Sequence, residues 1–137
     1  MSASVPAQPV VDAILAKLTT DLPTTYKVCD AAGPLTPATD CPYVVLYADG
    51  GAPEGEPMVL NRSLTGSFSV RAVGLTPDQS RRGGDRVRAS LHGAAFTAGG
   101  RRVYAYQLSA NSVERDDSAG PPPLFEHLLL FGFRSDA

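Results

Sequence analysis

The stretch Leu124 to Arg134, LFEHLLLFGFR, decides the fold, because its alternation puts bulky groups on both sides of a strand. Phe125, His127, Leu129, Phe131 and Phe133 share one side, and Leu128 and Leu130 point to the other. Such a strand needs cover above and below. Upstream, Val103 to Leu108 alternates with Tyr104 and Tyr106 on one side. Leu64 to Val73 sets Phe68, Val70 and Ala72 against Ser67, Ser69 and Arg71. Tyr43 to Tyr47, YVVLY, lacks polar alternation and reads as a strand inside the sheet, and Tyr26 to Asp30 is a short strand candidate.

Two helices supply the cover. Val10, Val11, Ile14, Leu15, Leu18 and Leu22 fall within about 140° of arc at helical spacing, and Pro23 ends the segment by removing an amide donor. Thr76, Pro77, Asp78 and Gln79 spell a second helix start, with Thr as N-cap, Pro at the first helical position and Gln completing a capping box. Along this helix Gly84, Val87, Leu91 and Ala94 make a stripe of small residues suited to close packing. The order is α, β, β, β, α, β, β, and the fold class is α+β: a mostly antiparallel sheet with two helices packed on one face. The second face, with Leu128 and Leu130, keeps apolar area that monomers rarely expose. A closed homo-oligomer whose subunits cover one another's sheets is therefore expected.

The 137 residues make a single domain, 1–137, with its core at about 10–134. Pro and Gly cluster at Ala31 to Pro42, Asp49 to Pro57 and Ser118 to Pro123, which read as three loops. Twelve basic against fourteen acidic residues leave a net charge of −2, which disfavours a dedicated nucleic-acid binder. The longest apolar run, Tyr43 to Ala48, is too short to span a membrane, and no export signal is read at the N-terminus. No membrane partner is expected.

For chemistry the sequence is sparse. It has no G-x-S-x-G elbow, phosphate-binding loop, dinucleotide fingerprint or H-E-x-x-H pair. Nothing in the spacing of His92, His127, Cys29 and Cys41 favours a triad or a metal site. His127 is expected to be a hydrogen-bonded core residue, and His92 to interact with the carbonyls or dipole of a helix end. Cys29 and Cys41 flank the loop between the first two strands, where a hairpin base could join them, but reduced thiols are expected. Glu54 and Glu56, in a Gly- and Pro-rich loop, read as solvated acids, as do Asp116 and Asp117. No catalytic, cofactor-binding or metal-binding residue is assigned.

Charge patterning is the sharpest local feature. Arg81, Arg82, Arg86, Arg88, Arg101 and Arg102 hold half of the 12 cations, with Asp85 the sole acid among them. Asp78 with Arg82, and Arg81 with Asp85, are spaced to pair along a helix. A solvated face or subunit contact is preferred, and a small nucleic-acid-binding module using Arg81 to Arg102 is the rival from another class. A small enzyme using His92 and loop acids is a third reading.

The ordered set VVDAILAKL, CPYVVLYADGG, TGSFSVRAVG, TPDQSRRGGDRVRASLHG, RRVYAYQL and FEHLLLFGF resembles the tail terminator and related minor tail proteins of long-tailed bacteriophages. The resemblance spans about Val10 to Arg134. It implies a structural, non-enzymatic virion protein: a small α+β subunit assembled in the host cytoplasm as a hexameric ring at the head-tail junction. The implied partners are the tail tube protein and a head-tail connector or neck protein, with DNA passing through the ring without sequence-specific contact. Neighbouring head-completion and neck families share much of this profile and form the alternative. The expected interface residues are Leu128, Leu130, Arg81, Arg82, Arg86, Arg88, Glu54 and Glu56. The loops Asp49 to Pro57 and Val113 to Pro123 are expected to reach the tube or neck.

Overall fold

The computed structural model describes residues 8–34, 37–48, 63–118 and 121–136. Helix α1, Gln8–Asp21, buries Val10, Val11, Ile14 and Leu18, the stripe that the 3.6-residue period picks out. The Leu22 amide still bonds the Leu18 carbonyl at 2.9 Å before Pro23 ends the turn. Strand β1, Lys27–Asp30, leads through a single helical turn, α2, Pro37–Asp40, to strand β2, Tyr43–Ala48. Strand β3 is Ser63–Gly74 and helix α3 is Pro77–Leu91. Four strands follow: β4 Ala94–Ala98, β5 Arg101–Ala110, β6 Glu114–Asp116 and β7 Leu124–Asp136.

The start of α3 follows its local code. Thr76 Oγ1 accepts the Gln79 amide at 3.1 Å, Pro77 occupies the first turn, and Gln79 Oε1 accepts the Leu75 amide at 2.7 Å. The glutamine thus reaches one residue beyond the N-cap, a variant of the reciprocal capping box. The helix ends at Leu91, so Ala94, expected on its small-residue stripe, belongs to β4. Gly99 and Gly100, both at positive φ (59° and 79°), turn β4 into β5, as a two-residue hairpin requires.

The strands lie in the order β1-β2-β3-β7-β5-β4, with β6 beside β7. β1 and β2 are parallel and every other pair is antiparallel. The parallel pair removes the hairpin base that would have joined Cys29 to Cys41, and both thiols are free. The central ladder pairs β3 with β7 from Ser63↔Asp136 to Gly74↔Phe125.

Both long helices pack on one face. Their apolar stripes meet Val44 and Leu46, Phe68 and Val70, Val103 and Ala105, and Leu129, Phe131 and Phe133 in one core. Phe68 and Phe131 stack with ring centroids 5.2 Å apart. The glycines of α3 allow its close approach: a Cβ on Gly83 would stand 3.1 Å from the Ala72 methyl, and one on Gly84 would run into the His127 ring. Ser80 Oγ donates to the Ala72 carbonyl at 3.0 Å, tying the helix to β3. Ser90 Oγ reaches Asp21 Oδ2 at 2.7 Å, tying α3 to α1.

The opposite face is only partly covered. Tyr43, Val45, Val73 and Leu124 form a second small buried cluster there, with Cys29, Cys41 and Tyr47 packed against it. The apolar area expected on the second face is thus reduced, because this cluster buries part of it at the β1–β2 end.

Candidate interaction surface

The uncovered part of the helix-free face is built on β5 and β7. Period 2 sends Tyr104 and Tyr106 to this face, opposite Arg134 and Gly132, and Leu128 and Leu130 to it from β7. Tyr104 is 37% exposed, Tyr106 39% and Leu130 38%, while Leu128 is half-buried. Leu108, at a bulge between Gln107 and Ser109, is 53% exposed. Gly132 has a specific part in this surface. A Cβ there would come within 2.8–3.0 Å of the Tyr106 ring and hydroxyl, so glycine lets the ring lie across the strand. The Arg102 guanidinium sits 5.9 Å from the Tyr104 ring centroid. Exposed Tyr, Arg and Leu side by side are the composition of a protein contact centre, although Leu is less often a dominant anchor.

Next to this patch, on the same face, is a cleft of about 320 Å³ bounded by Tyr47, Arg71, Asn111, Glu114, Glu126 and Leu128. Four separated segments build it: β2, β3, the Asn111 to Glu114 stretch and β7, with Glu114 standing opposite Glu126. Arg71 Nη1 lies 3.3 Å from Glu126 Oε2, and its guanidinium is 5.5 Å from the Tyr47 ring centroid. Arg71 Nε is buried with no hydrogen-bond partner among the described residues. Burial pushes the Glu126 carboxyl above its ordinary pKa; Arg71 opposes that shift, and Asp116 and Glu114 add to it. Glu114 has no partner among the described residues.

The arginines singled out in α3 do not behave alike. Arg82 pairs with Asp78 at 2.9 Å as the spacing predicts, and both are exposed. Asp85 pairs with Arg88 at 2.9 Å rather than with Arg81. Arg88 is half-buried and its Nε donates to Gln107 Oε1 on β5 at 2.7 Å, so it joins helix to sheet. Arg81 and Arg86 are exposed and have no partner among the described residues. Glu54 and Glu56, with the whole Asp49 to Pro57 loop, lie outside the described residues. Of the other expected contact loop, Glu114–Asp116 forms β6.

Neither histidine follows its expected contact in full. His92 caps α3, its backbone amide donating to the Arg88 carbonyl at 2.9 Å, while its side-chain Nδ1 accepts the Gln107 amide at 2.9 Å and so bonds the sheet. His127 lies under Gly84, its Nδ1 buried and without a hydrogen-bond partner among the described residues. Burial lowers its pKa below the ordinary 6.5. Burial also raises the Cys29 and Cys41 thiols, and pushes Tyr43 up to about 12. Among the described residues, no group of three or more His, Cys, Asp or Glu could hold a metal ion. No described helix is long and apolar enough to cross a membrane.

The exposed tyrosines and the Arg71–Glu126 cleft were not expected as site features. The Tyr104/Tyr106 alternation was visible in sequence; that this pair shares the helix-free side with Leu130 was not, because it depends on the β5–β7 register. No family model matches the sequence, and neither does any curated protein. Solved structures share the fold. A chain described as "Virion of native gene transfer agent (GTA) particle" aligns with TM-score 0.59 and 19% identity, covering 95% of this chain and 90% of its own. A second solved chain aligns with TM-score 0.55 and 18% identity over 93% of this chain and 96% of its own.

Proposed function

We propose that this chain is a structural virion protein: a tail terminator subunit that closes into a ring, caps the tail tube and presents the head-joining surface. The observation that carries this reading is the end-to-end likeness to a chain of a gene transfer agent virion, 95% of one over 90% of the other. The apolar patch of Tyr104, Tyr106 and Leu130 supports it, since an assembly subunit needs such a surface. In this reading 1–137 is one non-enzymatic domain, six copies close head to tail, and the tail tube protein and a neck or connector protein bind the two ends of the ring. DNA passes through without sequence-specific contact. Leu128, Leu130 and the α3 arginines contribute to contacts, and the loops Asp49 to Pro57 and Val113 to Pro123 reach the axial partners. The particle is located at the virion head-tail junction.

Electron microscopy of the purified full chain, alone and with tail tube protein, tests the proposal. Rings of six, free or seated on tube ends, are expected. A chain that stays monomeric at high concentration and leaves the tube ends bare contradicts it. The nucleic-acid reading has one observation in its favour, that Arg81 and Arg86 are exposed without a partner among the described residues; it requires a salt-dependent gel shift that both arginines control.

A further inference from the structure

Charge on this molecule is divided between opposite layers. On the exposed surface of α3, Arg81 and Arg86 carry positive charge that no described acid answers. Across the sheet, the cleft beside Leu128 sets Glu114 and Glu126 beside one arginine, Arg71, with Asp116 near enough to act on Glu126. The helix layer and the cleft lie on opposite faces, so one copy cannot bring its own α3 arginines to its own cleft. A second copy can.

We infer that Arg81 and Arg86 of one subunit dock into the Glu114–Glu126 cleft of the next, which deepens, and rests on, the reading of this chain as a ring subunit. The chemistry of the two surfaces is complementary. A guanidinium fork matches a carboxylate, and its aliphatic stem packs on apolar walls such as Leu128 and the Tyr47 ring. Glu114 is exposed with no partner among the described residues, and Glu126 is held by one bond at 3.3 Å to Arg71. An incoming cation would relieve this crowding of carboxylates. Because the contact joins two different surfaces, it is head to tail, the kind that closes a ring or propagates a filament. A face meeting its own copy would give a twofold pair instead. DNA is the weaker occupant for the arginine stripe, because Asp78 and Asp85 interrupt it and hold two of its four arginines.

Charge reversal on the full chain tests this. Arg81→Glu/Arg86→Glu and Glu114→Arg alter exposed positions, so thermal unfolding is expected to match wild type in both variants. Each alone is expected to raise the concentration at which assemblies appear in sedimentation velocity by about tenfold or more, because like charges then face each other. An equimolar mixture is expected to restore assembly, with reversed partners alternating. Wild-type assembly should weaken with added salt. If wild type forms rings and neither reversal affects them, the docking is wrong while the ring reading stands. If the variants fail singly and the mixture fails too, the docking is also overturned. If the arginine variant loses a DNA gel shift but keeps its rings, the arginines belong to DNA. If wild type itself never assembles, with or without tail tube, both readings fall.

Discussion

The two sides of strand β7 differ sharply although their residues alternate along one backbone. On the helix side, Leu129, Phe131 and Phe133 are fully enclosed, and Phe131 stacks on Phe68. On the other side, Leu128 is half-buried, Leu130 is exposed, and Gly132 makes room for a tyrosine ring lying against the strand. The helix side of the strand is closed by α1 and α3, which leave no apolar area of β7 there for a partner. The helix-free side is closed only near β1 and β2, by the cluster around Tyr43 and Leu124, and is open over β5 and β7. One strand therefore provides fold stability through its odd-numbered residues and a contact surface through its even-numbered ones.

Substitutions on the two sides should separate these roles, with the largest stability effect inside. Phe131→Ala removes a stacked ring from the centre of the core and is expected to cost about 3–5 kcal/mol in urea unfolding. A loss under 1 kcal/mol would mean that the helix side is loosely packed. Gly84→Ala drives a methyl into the His127 ring and is expected to cost about 1–3 kcal/mol. Pairing it with His127→Ala should recover part of that loss, since the clash disappears.

The pH response sharpens the same comparison. His127 is held below its ordinary pKa of 6.5 first by burial, then by Arg88 and Arg81, against Asp85 and the Asn111 backbone. The unfolded chain therefore takes up the proton more readily than the folded one. The stability associated with neutral His127 is complete above the unfolded pKa and is lost as pH falls through and below it. Urea midpoints between about pH 7.5 and pH 5.5 should fall for wild type and fall less for His127→Gln. Equal slopes would show that the ring is not held neutral by its place under α3. The smallest stability effect is expected on the open side: Leu130→Asp should leave unfolding within about 0.5 kcal/mol of wild type while weakening assembly. Normal assembly would remove Leu130 from the contact.

Much of this division could be read from residue order, wherever short-range periodicity decides. The α1 stripe, the Thr76 cap, the β3 alternation and the opposed sides of β7 all appear as expected. β4 was missed because Ala94-Ala95-Phe96-Thr97-Ala98 has few β-branched residues and follows a helix whose small-residue spacing continues to Ala94. β6 was missed because three charged residues, Glu114, Arg115 and Asp116, become a strand only through pairing with β7. Leu128 and Leu130 could be assigned to the second face from the period of 2 alone. The inward role of Arg88 could not, because Gln107 meets it through tertiary packing. The cleft draws on four separated segments of chain, and no local pattern announces such a meeting.

Hydroxyl-radical footprinting of the full chain, free and in its assembled particle, tests the central claim most directly. The account predicts that Tyr104, Tyr106 and Leu130 are modified in the free chain and protected on assembly, with Phe131 and Phe133 protected in both states. Equal modification of the two tyrosines and Leu130 before and after assembly would show that the open side of the sheet is not where another subunit binds.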